Sequence, residues 1–93
     1  MNPKFNRHFR IYFISKHPAY IVGETKDYFF FHRVTSSPKS GHHSNWKVEP
    51  NPDSKRASPM FIVHMEEKDL KINFSEELPY NADLSFIKRK NKK

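Results

Sequence analysis

Six side chains in the first half of the sequence are of the types that act on phosphate: His17, His32, Arg33, Thr35, Ser36 and Ser37, with Lys16 and Lys39 nearby in the chain. An imidazole gives or takes a proton near neutral pH, a guanidinium or ammonium offsets the charge of a phosphorane, and hydroxyls hold phosphate oxygens. Such a set, without a metal, is what cleavage of RNA through its ribose 2′-OH uses. A base removes the hydroxyl proton, cations stabilise the charged phosphorane, and an acid protonates the leaving oxygen. The same groups equally suit a surface that holds phosphate and breaks no bond.

Two hydrophobic stretches must position these residues. Residues 19–23 (AYIVG) and 28–35 (YFFFHRVT) are rich in β-branched and aromatic side chains, and Glu24, Thr25, Lys26 and Asp27 between them form a polar hairpin loop. In an antiparallel pair the start of the first strand lies beside the end of the second, which sets His17 next to Thr35. Alternation puts Arg33 and Thr35 on one face and His32 and Val34 on the other, so the whole set cannot converge.

The rest of the chain reads as further short strands at residues 10–14 (RIYFI), 46–49 (WKVE), 60–65 (MFIVHM) and 70–74 (LKINF). Pro18 belongs in a turn or at the first position of a strand, because it lacks an amide donor. Residues 36–45 and 50–59 are loops by composition, the second carrying Lys55 and Arg56, and the acidic run 66–69 (EEKD) reads as a solvated turn. His64, inside FIVHM, reads as a buried or half-buried histidine with a hydrogen-bond partner. Near the end, Ser75 is a candidate N-cap with Glu76 and Glu77 in a first turn that Pro79 keeps short. A second short helix is expected over residues 81–88, with Leu84, Phe86 and Ile87 on its apolar side. The expected fold is mainly β: a small SH3-like barrel of five or six short antiparallel strands with short C-terminal helical turns. Residues 1–87 form its single domain, and residues 88–93 (KRKNKK) are a basic disordered tail.

Composition narrows the function. The chain has 93 residues, only 35% of them hydrophobic, so nine Phe, four Tyr and one Trp must supply much of the core. There is no cysteine, which excludes disulfides and thiolate metal sites, and the six histidines lack zinc-ligand spacing. With two glycines in the chain and no nucleophile elbow or paired-carboxylate motif, no nucleotide cradle or cofactor is expected. The formal net charge of +7 divides into +6 over residues 1–65, −4 over 66–87 and +5 over 88–93. A basic balance of this size points to a polyanionic partner. No signal peptide or spanning segment is recognisable, so a cytoplasmic protein without a membrane partner is expected.

The segments KHPAYIV (residues 16–22), FHRVTSSPKSG (31–41) and MFIVHMEEKDL (60–70) together resemble the MazF/PemK-like toxin endoribonucleases over residues 15–72. Those small SH3-like barrels carry an Arg-Pro-Ala-hydrophobic strand, then a hydrophobic strand ending in a threonine-containing motif. The resemblance implies a metal-independent endoribonuclease acting on single-stranded RNA, with a protein antitoxin as partner and a homodimer as the working state. Thr35 would match the catalytic threonine, and His17, just before Pro18 and Ala19, would stand where the family has a catalytic arginine. Histidine is a poorer permanent cation than arginine, so this departure alters the expected chemistry. The family's Gly-Asp opening strand and glycine-bearing loop are absent, and RHFRIYFIS takes their place. On this reading Lys16, Arg33 and Lys39 hold the RNA backbone beside Ser36 and Ser37, and bases stack on Trp46 or Tyr20. The rival reading is a non-catalytic barrel that binds nucleic acid or protein, as an accessory of a phage or mobile element.

Overall fold

The computed structural model describes residues 5–49, 52, 59–82, 84, 86 and 87. Among the described residues nine strands and one short helical turn follow one another: β1 (His8–Tyr12), β2 (His17–Glu24), β3 (Tyr28–Thr35), β4 (Lys39–Ser40), β5 (His43–Ser44), β6 (Trp46–Val48), β7 (Met60–Ile62), β8 (Glu67–Leu70), a 3-10 turn (Lys71–Asn73) and β9 (Phe74–Leu78). Seven strands form one antiparallel sheet in the order β6-β7-β3-β2-β1-β9, and β8 also pairs with β3. β4 and β5 make a separate small hairpin.

β3 is the axis. One edge pairs with β2 from Ala19↔Arg33 to Glu24↔Phe29, with a register shift between Ile21 and Gly23. The other edge is shared: β8 lies along Tyr28 to Phe31, and β7 along Val34 and Thr35. β1 bridges β2 and β9 through Arg10↔Ala19 and Arg10↔Glu77. The fold is thus mainly β and antiparallel, but the described residues form no closed sheet.

Alternation along these strands buries both faces. Tyr12, Ala19, Ile21, Phe29, Phe31 and Phe74 fill one core, in which the Phe31 ring meets Tyr12 at 4.7 Å and Phe74 at 5.1 Å between centroids. Phe9, Tyr20, Val22, Val48, Met60, Ile62, Leu84 and Ile87 fill a second core on the opposite face. The late segment around Leu84 and Ile87 covers that second core. It is clasped from the start of the chain, because Arg7 Nη1 donates to the Ile87 carbonyl at 2.6 Å and more loosely to that of Leu84 at 3.5 Å.

Several sequence expectations are corrected. The first strand stops at Tyr12: the amides of Ser15 and Lys16 donate back to the Tyr12 carbonyl, and Lys16 takes a left-handed φ of 65° to close the turn. The acidic run read as a solvated turn is largely β8, which pairs with β3. Residues 70–74 are not one strand, since a 3-10 turn interrupts them at Lys71–Asn73. Ser75, Glu76 and Glu77 are not a helical turn but part of β9. Pairing with β1 overrides the local capping signal, and the Ser75 hydroxyl accepts from the Ile11 amide at 2.8 Å instead. Of the second expected helix, the described residues show one turn-like bond, from the Ile87 amide to the Leu84 carbonyl. Residues 55, 56 and 88–93 lie outside the described residues. Among the described residues no helix is long and apolar enough to cross a membrane.

Candidate functional site

The expected phosphate-handling residues gather at one end of the β2–β3 hairpin, away from its turn. His17 opens β2 and is exposed, and its register partner is Tyr12 of β1. Thr35 closes β3, half-buried, pairs with Phe61 of β7, and its Oγ1 accepts from the Ser37 amide at 3.2 Å. β2–β3 pairing ends at Ala19↔Arg33, and beyond it Val34 and Thr35 are paired only on the far edge of β3, with β7. His17 and Thr35 therefore share an end of the hairpin, and by alternation a face, yet no ladder pair joins them.

Arg33 is already engaged. Its Nε and Nη2 donate to the two carboxylate oxygens of Glu67 at 2.8 and 3.2 Å, and its guanidinium lies 5.3 Å over the Tyr12 ring. Tyr20 is buried against Phe9 and cannot serve as a stacking platform, which corrects that expectation. Trp46 is half-buried, its ring edge-on to His32 and to Phe86. Lys16 and Lys39 are exposed and enter no ion pair among the described residues. Ser36 and Ser37 are exposed beside them.

The loop holding Lys39 is organised by one residue. Asn45 is buried; its amide donates to the Pro38 carbonyl, and its Nδ2 donates to the Ser37 carbonyl and the Ser40 hydroxyl at 3.1 and 2.9 Å. Gly41 takes φ 64° in the tight turn between β4 and β5, a conformation that a side chain would strain. Lys39, His42 and His43 thereby stand on a small exposed arm projecting from the main sheet.

Sequence reasoning missed a polar network behind His17. The Tyr12 hydroxyl donates a short hydrogen bond to Asp69, whose other oxygen accepts from Asn73 Nδ2 at 2.9 Å and the Leu70 amide at 2.7 Å. Burial first, then the bond to the Asp69 carboxylate, pushes the Tyr12 phenol up to about 12. The hydrogen bond from Tyr12 chiefly holds the Asp69 carboxyl below its ordinary value. The only hint in the sequence was the alternation of Glu67 and Asp69, which puts both on the Phe29/Phe31 face of β3.

That network carries its own alkaline signature. The folded phenol stays protonated above the ordinary value of 10.0, so the unfolded chain ionises first and stability falls as pH rises from about 10 to about 12. Tyr12→Phe should flatten that fall in a pH series of thermal melts while lowering stability at neutral pH. An unchanged alkaline slope would mean that Tyr12 is not the group responsible.

A second feature is a row of rings on the opposite face. His32 is buried, and its Nδ1 donates to the Val63 carbonyl at 2.8 Å, which leaves the lone pair of the neutral ring on a buried, unpartnered Nε2. Burial chiefly lowers its pKa below 6.5; Arg7 and His64 act in the same direction, against the Val63 bond and Glu66. The Trp46 ring stands 5.7 Å from His32, and the exposed Phe86 ring 6.3 Å from Trp46. Close to His32, the His64 ring lies 4.5 Å from that of exposed His43. Among the described residues no group of three His, Cys, Asp or Glu side chains is arranged to hold a metal ion. No protein-family model, curated protein or solved structure matches this chain.

Proposed function

We propose that this chain is a small nucleic-acid-binding domain of SH3-like barrel type that grips single-stranded RNA by its phosphates. The sequence β1-β2-β3, then β7 and β8 along the far edge of β3, a 3-10 turn, and β9 returning to β1 supports the barrel assignment. One observation carries the function: the division of labour among the cations. Arg7, Arg10 and Arg33 are all spent on internal carbonyls, rings or a carboxylate. Among the described residues Lys16 and Lys39 are exposed and enter no ion pair, Lys16 directly before His17 and Lys39 two residues after Ser37 in the chain, whose net charge is +7.

Anisotropy titration of a labelled single-stranded RNA tests this. Affinity should fall steeply, on a log–log scale, between about 50 and about 200 mM salt, and Lys16→Ala and Lys39→Ala should each reduce the slope by about 1. Binding that ignores salt, or no binding at the lower salt, overturns the proposal.

The MazF/PemK-like endoribonuclease remains the second reading, favoured by the shared end and shared face of His17, Arg33 and Thr35. On that reading His17 and Thr35 act at the reacting phosphate, Lys16 and Lys39 hold the backbone while Arg33 stays paired with Glu67, and a protein antitoxin and a second copy of the chain are the partners. Incubation with mixed RNA in EDTA should then yield fragments ending in cyclic phosphate, and Thr35→Ala should abolish them without changing the thermal melt. Intact RNA after prolonged incubation leaves binding alone.

A further inference from the structure

We infer that the bases of the bound strand stack on the ring row formed by His43 and His64 at one side and by Phe86 against Trp46 at the other. This rests on the nucleic-acid reading above and names where the bases go. Three observations carry it. First, the rings lie in two contacting groups joined through Val63: Phe86 meets Trp46 at 6.3 Å and Trp46 meets His32 at 5.7 Å, the His32 Nδ1 donates to the carbonyl of Val63, and the next residue, His64, meets His43 at 4.5 Å with the planes 41° apart. Second, the outer members are open to solvent. Phe86 is 54% exposed and His43 is exposed, whereas Trp46, His64 and His32 behind them are half-buried or buried and so hold the row rigid.

Third, a cation accompanies the exposed rings: Lys39 sits on the arm that carries His43. Flat rings flanked by positive charge match a polymer that alternates planar bases with phosphates. An unpaired strand presents its base faces, which a duplex hides. Imidazole and phenyl faces accept any base, so the row predicts little sequence preference.

Two probes separate stacking from phosphate contact: a labelled oligouridine strand, and an abasic strand with the same sugar–phosphate backbone. The protein should prefer the base-bearing strand by about fivefold or more for each stacked base. Phe86→Ala and His43→Ala should each remove a large part of that preference while leaving affinity for the abasic strand unchanged. Lys39→Ala should weaken both strands alike. Both ring substitutions are at exposed positions, and an unchanged thermal melt confirms that the variants fold. Full preference for the base-bearing strand in both ring variants overturns the ring row but leaves phosphate binding standing. Failure of both strands to bind at low salt overturns both proposals together.

Discussion

Replacing Phe31 by alanine should remove about 3–5 kcal/mol of stability, a large share of the roughly 5–15 kcal/mol that holds a domain of this size. Phe31 is fully buried at the centre of the first core, where its ring touches those of Tyr12 and Phe74. Both neighbours are tied to the sheet, Tyr12 through Asp69 and Phe74 through its pairing with Tyr12, so neither can collapse far into the space left behind. A cavity that cannot close is the costlier kind. Urea unfolding followed by Trp46 fluorescence measures the loss, and Phe13→Ala, at a 52% exposed turn position, is the control expected to stay within about 0.5 kcal/mol. A loss under about 1.5 kcal/mol for Phe31→Ala would mean that the aromatic cluster is not the main source of stability.

Acidification should also lower stability, and His32 should contribute to that fall. The ring is 3% exposed, its Nδ1–H is committed to Val63, and its Nε2 faces no acceptor, so a second proton would bring an unpaired buried charge. Its folded pKa lies below the ordinary 6.5, with burial the largest cause. Above that value both states are neutral and the stability is fully present. Between it and the lower folded value the unfolded chain binds more protons, so stability drops as pH falls through that window. Groups facing the ring set the balance: Glu66 favours the proton, while Arg7 and His64 oppose it. Melting temperatures from about pH 8 to about pH 5 should therefore fall, and His32→Asn, which keeps a donor for Val63 and cannot be protonated, should flatten the decline. The same acid slope in wild type and His32→Asn would assign it to other groups.

Much of the fold was legible because pattern and pairing agreed. The β2–β3 hairpin and β6 follow from runs of β-branched and aromatic residues between polar turns, and both survive nearly as read. The misreadings fall where tertiary partners overrode a local signal. Glu67 and Asp69 look like turn residues, but a strand accepts them because Arg33 and Tyr12 stand across from them. Ser75 followed by two glutamates looks like a helix start, but β1 offers the same backbone groups a ladder. The candidate site was legible in kind rather than in detail. His17 and Thr35 do lie at the same end of the β2–β3 hairpin, but which cation is already paired depends on β8, and the sequence does not announce that pairing. The ring contacts were invisible for a similar reason, since His64 meets His43, and Phe86 meets Trp46, only across long stretches of chain.

The clasp between Arg7 and the carbonyls of Leu84 and Ile87 bears on how the chain is made. The second face of the sheet is not fully covered until residue 87 has been synthesised, because Leu84 and Ile87 are themselves part of its core. A nascent chain that has reached only the central hairpin would expose Phe9, Tyr20 and Val22 to its surroundings. Assembly of this domain is therefore a late event at the ribosome, and the interval before the last turn emerges is when a chaperone has something to hold.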